Sequence, residues 1–315
     1  EGMIYLSPAP LYHSAPNAAV SLTIRIGGTA VIMERFDPEQ YLALIEKHRI
    51  THTQLVPTMF SRMLKLPPAA RNRYDVSSLE FAVHAAAPCP AQVKRDMIEW
   101  WGPIIHKYYG ATEGLGFAAC DAGEWLQHPG TVGRVLLGEL HILDDDMNAC
   151  PVGTPGAVWF KMATPFEYYK DPDKTREARS EDGSMSTVGD VGYVDDDGFL
   201  YLTDRKTYMI ISGGENVYPA EVESALYAHP SISEAAVIGV PDPKWGEAVR
   251  AVVTLKPNAT LDEKEVLAWR RGKLAAFKCP KAIDVIDVMP RNASGKLLKR
   301  DLRAPYWEGR ERQVN

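Results

Sequence analysis

Across the first hundred residues, stretches with an apolar face at helical spacing alternate with short apolar runs, and no other feature constrains the fold as strongly. Asp37 then Pro38 reads as an N-cap followed by proline at the first helical position. Tyr41, Leu42, Ile45 and Ile50 supply one apolar face, with a helix stop near His48. Residues 51–56 then read as a short buried strand closed by Pro57, and Phe60, Met63 and Leu64 begin another helix. Phe81-Ala82-Val83 reads as a second strand, 90–101 as a helix and 104–108 as a third strand. Alternation of this kind predicts βαβ units and a largely parallel, doubly wound sheet.

From about Asp121 the pattern changes to short strands between Gly, Pro and Asp turns, at 138–143, 156–161 and the pair 192–193 and 199–202 joined by Asp195-Asp196-Asp197-Gly198. A small distorted β-barrel or sheet layer fits that pattern. After Asp204 a smaller α+β pattern follows: a helix from Pro219 to about 228, strands at 235–240 and 248–255, and a helix over 262–275. A domain boundary is placed near residue 206, giving a large part over 1–206 and a small part over 207–315.

The net charge of −6 excludes a nucleic-acid or polybasic membrane surface, because both attractions need the opposite sign. No apolar run approaches the roughly 20 residues that span a bilayer. Cys89, Cys120, Cys150 and Cys279 show no metal-like spacing and favour a reducing, cytoplasmic setting. Met3-Ile4-Tyr5-Leu6 already reads as a strand, so the chain is expected to begin inside a larger fold, with no signal peptide visible. His84, His106 and His128 lack metal spacing and read as structural; for His84 a place beside an acyl pocket is an equal alternative. Trp100 and Trp101 read as core, Asp144-Asp145-Asp146 as a solvated turn, and 264–271 as an exposed helix face.

Four segments carry chemistry. Tyr108-Tyr109-Gly110-Ala111-Thr112-Glu113-Gly114 follows the third strand, at the carboxyl edge where doubly wound sheets bind ligands. Gly110 and Gly114 are expected to turn the backbone and present N–H groups. The Thr112 hydroxyl suits a phosphate oxygen, the Glu113 carboxylate suits Mg²⁺, and Tyr109 offers a flat face to a purine. Thr187-Val188-Gly189-Asp190 supplies a carboxylate able to take both hydroxyls of a ribose. Asp204-Arg205-Lys206-Thr207 leads to Ser212-Gly213-Gly214-Glu215-Asn216-Val217-Tyr218-Pro219, and Pro290-Arg291-Asn292-Ala293-Ser294-Gly295-Lys296 ends in a lysine on a small-residue turn.

In this order and at these separations, with Pro10-Leu11-Tyr12-His13-Ser14 near the start, the segments resemble the acyl-adenylate-forming superfamily, which includes acyl-CoA synthetases, adenylation domains and beetle luciferases. The resemblance covers essentially the whole chain. It implies the C-terminal portion of a large domain, a mostly parallel sheet plus a small β-barrel layer, followed by a small mobile α+β domain. By similarity Tyr109 stacks on adenine, Gly110 lies in the nucleotide-binding turn, Thr112 contacts the α-phosphate region and Glu113 helps hold Mg²⁺. Asp190 and Arg205 bind the ribose, Lys296 reaches the carboxylate and α-phosphate, and His13 stands near the carboxylate. Ser212, Gly213 and Gly214 line the pantetheine tunnel, and Ala85-Ala86-Ala87-Pro88 with Pro90 floors the acyl and adenine pockets. ATP, Mg²⁺ and CoA are the implied cofactors.

Three departures accompany the resemblance. The family's Gly/Ser/Thr-rich phosphate loop is expected before Pro10 and does not occur here, so these residues alone are expected to turn over ATP poorly. An upstream segment is then an expected partner, and a homodimer is left open. Thr207 and Tyr208 replace the usual hinge residues, which implies altered domain-rotation rates with the mechanism retained. Lys107 stands where many members carry Asn or Gln near the adenine, leaving that contact unassigned. The expected function is an acid–thiol ligase that activates a small-molecule carboxylic acid as acyl-AMP and transfers it to CoA. Alanines at 85–87 favour a medium- or long-chain fatty acid, with an aromatic or sterol-side-chain acid next. The rivals are delivery to a carrier protein and a non-catalytic AMP- or acyl-binding module.

Overall fold

The computed structural model describes residues 2–162, 166–205, 208–262, 266, 274–292 and 297–309, with side chains except at 204 and 205. The chain divides into two units. The first comprises residues through Val188 together with Gly192–Leu202; the second comprises Gly189–Val191, Thr203–Asn292 and the residues from Leu297. The boundary expected near 206 falls on residues 206–207, outside the described residues.

The first unit is built on a seven-stranded sheet. Its strands are β1 (Ile4–Ser7), β2 (Thr29–Ile32), β3 (His52–Leu55), β4 (Phe81–His84), β5 (Ile105–Tyr109), β6 (Phe117–Cys120) and β7 (Arg134–Leu137), in the order β2-β1-β3-β4-β5-β6-β7. β2 through β5 in that order are parallel, and β6 and β7 run antiparallel. The helices α1 (Ser14–Arg25), α2 (Pro38–His48), α3 (Pro57–Leu64), α4 (Pro68–Arg71) and α5 (Ala91–Trp101) lie between the parallel strands. The α2 start follows from its sequence: Asp37 accepts a hydrogen bond from the Gln40 N–H at 2.8 Å, and Pro38 needs no partner at N1.

From β1 the chain moves outward to β2, then returns past β1 to β3 and continues one way to β5. Right-handed crossovers therefore place α1 on one face and α2, α3 and α5 on the other, with the switch point between β1 and β3. Packing agrees. Leu6, Leu55, Ala82 and Ile105 form one core with Tyr41, Leu42 and Ile45 of α2, Phe60 and Met63 of α3, and Met97 and Trp101 of α5. Alternate residues of β3, β4 and β6 are buried on that face, while His52, Gln54, Phe81, Val83, Phe117 and Ala119 on the other are half-buried.

After α6 (Ala122–Gln127), a second sheet follows, of β8 (Glu139–Leu143), β9 (Gly156–Lys161), β10 (Met185–Ser186), β11 (Asp190–Val194) and β12 (Leu200–Arg205). α7 (Pro172–Glu177) stands between β9 and β10. The acidic turn after β11 is closed by Asp195, whose Oδ1 accepts from the Phe199 N–H at 2.8 Å, and whose Oδ2 accepts from Tyr201 at 3.0 Å.

The second unit holds β13 (Ile210–Ser212), β14 (Glu215–Val217), α8 (Pro219–Tyr227), β15 (Ile232–Asp242), β16 (Gly246–Leu255) and β17 (Ala282–Val285). The antiparallel pair β15 and β16 has two apolar faces. One packs Ala235 and Val237 with Val222 and Leu226 of α8, and the other packs Ala236 and Ile238 with Leu302 and Tyr306 of the last helix, α9 (Lys299–Trp307). Of the helix expected over 262–275, residues 263–265 and 267–273 lie outside the described residues.

Candidate functional site

Two loops meet at the carboxyl edge of the parallel strands. The loop after β1 carries His13, which caps α1 through its extended backbone and makes no side-chain cap hydrogen bond. The imidazole instead lies 4.4 Å from the Tyr12 ring, and its Nε2 is buried without a hydrogen-bond partner among the described residues. Asn17 pins the loop by donating to the Leu11 carbonyl at 3.1 Å. The next residue after His13 reaches the second loop: Ser14 Oγ lies 2.9 Å from Thr112 Oγ1, in a hydrogen bond spanning 98 residues of sequence.

The second loop is the turn at 110–114. Its N–H of Gly114 donates to the Ala111 carbonyl at 3.0 Å, and Gly114 has φ +75°, where an L side chain is strained. Gly110 differs from the expectation. Its φ is not positive, and a Cβ there would meet Phe117 at an ordinary 3.4 Å, so the turn requires glycine only at 114. Thr112 is exposed. Glu113 is half-buried and accepts a hydrogen bond from the Tyr168 hydroxyl at 3.0 Å. Tyr168 is itself held, its N–H donating to Thr175 Oγ1 at 2.9 Å and its ring lying 4.0 Å from Lys174 Nζ. Among the described residues no three His, Cys, Asp or Glu side chains cluster as a metal site. Glu113 therefore offers one hard oxygen, which suits an ion whose other ligands are phosphates and water.

Tyr109 ends β5, with its ring centroid 6.4 Å from that of Phe160. Two residues back on the same face is Lys107, only 6% exposed. Lys107 pairs in register with His84 of β4 and with Cys120 of β6, so the three form a row across the sheet. Over this face stands α5, whose buried residues are Lys94, Met97 and Trp101. Lys94 and His84 are both 0% exposed, and Lys94 Nζ and both His84 ring nitrogens have no hydrogen-bond partner among the described residues. The Trp125 ring, 4.8 Å from Lys94 Nζ, is the cation's closest compensation. Burial pulls Lys94 down to about 8 from 10.5 and also lowers Lys107. Burial, then the charges of Lys94 and Lys107, hold His84 well below the ordinary imidazole range. Burial pushes the Cys89 thiol up to about 11, so it is not a nucleophile at neutral pH. Next to His84, Ala86 adopts φ +73°, a left-handed conformation costing about 1 kcal/mol for a residue with a Cβ.

Asp190, Arg205, Gly213 and Gly214 belong to the second unit. Asp190 opens β11 and is buried, and Arg205 ends β12, where only its backbone is described. Gly213 and Gly214 form the two-residue turn between β13 and β14, with φ +65° and +85°. Positive φ at both positions is what a type I′ hairpin demands, and a Cβ on Gly213 would press the Trp245 ring at 2.6 Å. Lys296 lies outside the described residues. His128, expected as structural, bonds Asp195 at 3.0 Å. Asp144 caps an exposed turn by accepting from the Asn148 N–H at 2.8 Å.

Sequence reasoning misses Ser14 and Tyr168 as the residues that fix Thr112 and Glu113, because no local pattern links positions so far apart. Lys94 does leave a signal. It sits at helical spacing with Met97 and Trp101, a cation on an apolar stripe. A cavity of about 740 Å³ opens beside Tyr168, lined by Lys170, Arg176 and Arg179 against Glu167, Asp171 and Glu181; it includes neither Thr112 nor Glu113.

Residues 1–170 match the AMP-binding enzyme family, and residues 221–296 match the AMP-binding enzyme C-terminal domain. A feruloyl-CoA synthase of an Amycolatopsis species is 36% identical over 308 residues, covering 96% of this chain and 61% of that protein. A medium/long-chain-fatty-acid–CoA ligase, FadD8 of Mycobacterium tuberculosis, is 35% identical over 325 residues, covering 98% and 55%. Among solved structures, the amide bond synthetase McbA from Marinactinospora thermotolerans superposes with a TM-score of 0.89 at 33% identity, covering 97% of this chain and 63% of that one. The o-succinylbenzoate coenzyme A synthetase of Bacillus subtilis, in complex with ATP and magnesium ion, gives 0.82 at 30% identity, covering 95% and 61%. The chain thus spans about 60% of the length of such relatives. With both halves of the family pattern matched in order on the fold described, this chain belongs to the AMP-binding, adenylate-forming enzyme family.

Proposed function

We propose that this chain supplies the nucleotide and lysine elements of an acid–thiol ligase, which converts a carboxylic acid, ATP and CoA into acyl-CoA, AMP and pyrophosphate. The observation that carries the reading is the Ser14–Thr112 hydrogen bond, which fastens the His13 loop to the Thr112-Glu113 turn at the ligand edge of the sheet. CoA-ligase relatives and a relative bound to ATP and magnesium support it.

A carboxylate resists a thiol because it is anionic and its oxygen leaves badly; joining it to AMP supplies a good leaving group. In that step two anions meet, so cations and donors placed on the developing charge matter most. Tyr109 lays its ring against the purine, and the Thr112 hydroxyl, oriented by Ser14, donates to the α-phosphate. Glu113, braced by Tyr168, contributes one oxygen toward Mg²⁺, which would shield the pyrophosphate when bound. Asp190 and Arg205 take the ribose, His13 stands beside the acid, and Lys296 neutralises the α-phosphate and carboxylate. Gly213 and Gly214 flank the pantetheine path, and a small domain over 207–315 rotates against the part over 1–206 between the two half-reactions. A medium- or long-chain fatty acid in the cytoplasm is the proposed substrate, supported by the small apolar 85–87 segment and the FadD8 likeness.

The test is a panel of acids assayed for acid-dependent pyrophosphate release by the protein at its full natural length, followed by CoA-dependent release of AMP. Lys296→Ala should cut pyrophosphate release by about 10²–10³-fold while sparing thioester formation from supplied acyl-adenylate. Equal loss in both steps removes Lys296 from its role. If CoA leaves the adenylate undischarged while an amine discharges it, the product is an amide, as the McbA likeness would favour.

A further inference from the structure

The cavity of about 740 Å³ beside Tyr168 lies wholly within the first unit, and its lining carries both signs of charge. Arg176 and Arg179 stand one helical turn apart, the Arg179 N–H donating to the Arg176 carbonyl at 3.1 Å. Arg179 is held in place: its Nη2 donates to the Phe166 carbonyl at 2.6 Å, and Glu167 lies 3.6 Å away. Its Nε is buried and has no hydrogen-bond partner among the described residues. Arg176 is exposed and pairs with Asp173, which is not part of the lining. Lys170 is exposed too, its ammonium 5.2 Å from the Tyr169 ring and without a carboxylate partner among the described residues. The same lining holds the carboxylates of Asp171 and Glu181.

Size and charge together narrow the ligand. A lone phosphate or a bare metal ion would leave most of this space unfilled, and cavities of this volume take whole small molecules. A free polyanion would meet the carboxylates, and a cation would meet the arginines. A metal–polyphosphate complex satisfies both. Guanidinium forks match phosphoryl oxygens, while Mg²⁺ bound to phosphates keeps several waters, which can donate to carboxylates. Position narrows the choice further. Tyr168 lines the cavity, and its hydroxyl donates to Glu113 at 3.0 Å, so one side chain joins the cavity to the carboxylate proposed for Mg²⁺. We propose that the cavity is a docking site for magnesium pyrophosphate, the product that leaves after adenylate formation. Lys170, Arg176 and Arg179 take its phosphoryl oxygens, and Asp171 and Glu181 take the water shell of its metal. The product role rests on the reading that this chain belongs to an ATP-dependent ligase with Glu113 at the Mg²⁺.

The test is calorimetric titration of the protein at its full natural length with magnesium pyrophosphate, while saturating α,β-methylene-ATP fills the nucleotide site. One further equivalent should bind. Lys170→Ala combined with Arg176→Ala alters two exposed side chains and should weaken that binding about tenfold, the scale of one charge-assisted hydrogen bond. Chelating the magnesium should weaken it as well. In acid- and CoA-dependent AMP release, the double variant should raise the inhibition constant of pyrophosphate by a similar factor and leave KM for ATP unchanged. No binding to the analogue-filled protein, or binding that the double variant leaves unmoved, overturns the site. Equal binding with and without magnesium overturns the assignment of the metal complex. If no acid supports pyrophosphate release, the ligase reading fails and the product role goes with it, while the titration still decides whether the cavity holds magnesium pyrophosphate.

Discussion

Arg250 in the second unit and Lys94 in the first are both cations under apolar cover, and their surroundings are opposite. Arg250 is bidentate to Asp284, with Nε to Oδ2 at 2.5 Å and Nη2 to Oδ1 at 2.8 Å. Tyr306 adds a donor to Asp284 Oδ2 at 2.6 Å, and its ring lies 4.8 Å from the guanidinium. Its hydrogen bonds, first the one from Arg250, hold the Asp284 carboxyl below the ordinary range. Nearby, Lys299 pairs with Glu223 at 2.8 Å, and Glu223 also accepts from the Val237 N–H at 2.8 Å. Lys94, more deeply buried, has one aromatic ring and no acceptor. A network complete in itself has its value in the fold. One left open costs stability.

If that contrast is correct, removing an anion from the complete network is the most damaging change. Asp284→Ala leaves the half-buried Arg250 without its carboxylate and should cost about 2–3 kcal/mol, the upper range for hydrogen bonds to a charged group. Hydrogen exchange at the β16 amides, which flank Arg250, is the appropriate readout. Protection unchanged within about 0.5 kcal/mol, the noise of a surface substitution, would mean that the second unit does not depend on the network.

The opposite change in the first unit should stabilise. Lys94→Met keeps length and removes the uncompensated charge, with an expected gain on the order of 2 kcal/mol at pH 7. Its pH dependence has a fixed sign. The folded-state pKa of Lys94, about 8, lies below the value of 10.5 for the free group. Between those two pH values the unfolded chain binds more protons than the folded one, so stability rises with pH. Below about 8 the penalty is fully present, and above 10.5 it is gone. Lys94→Met should therefore flatten the alkaline rise, so that its advantage disappears by pH 10.5. A gain equal at all pH values would reflect packing and would leave the charge argument without support.

How much of this could be read in the sequence depends on the range of the interaction. Asp37-Pro38 announces α2 because a cap and its partner are three residues apart. The parallel sheet is legible because alternation of period is itself local. The Thr112-Glu113 turn is legible as a motif, but what holds it is not, since Tyr168 is 55 residues from Glu113. β2 shows the limit from the other side: Thr29-Ala30-Val31-Ile32 is more apolar than β3, yet it is the edge strand and has no buried residue. Gly213-Gly214 reads as a pantetheine element by likeness, yet the hairpin alone accounts for both glycines. Lys107 is visible as a departure, but its row with His84 and Cys120 emerges only when three strands are in register.

That row gives the finest test of the contrast. Lys107→Glu replaces one of two neighbouring cations by the anion that Lys94 lacks, and so rebuilds in the first unit the kind of pairing seen at Arg250 and Asp284. The charge with which Lys107 adds to the burial of Lys94 would be replaced by attraction, and the Lys94 pKa should move up from about 8. Because the new pair must still be desolvated, the net gain is small, about 1 kcal/mol, read as a rise in the thermal midpoint of about 2–4 °C. A destabilised variant would mean that Lys94 and position 107 do not reach each other, and the contrast between the two units would then need another cause.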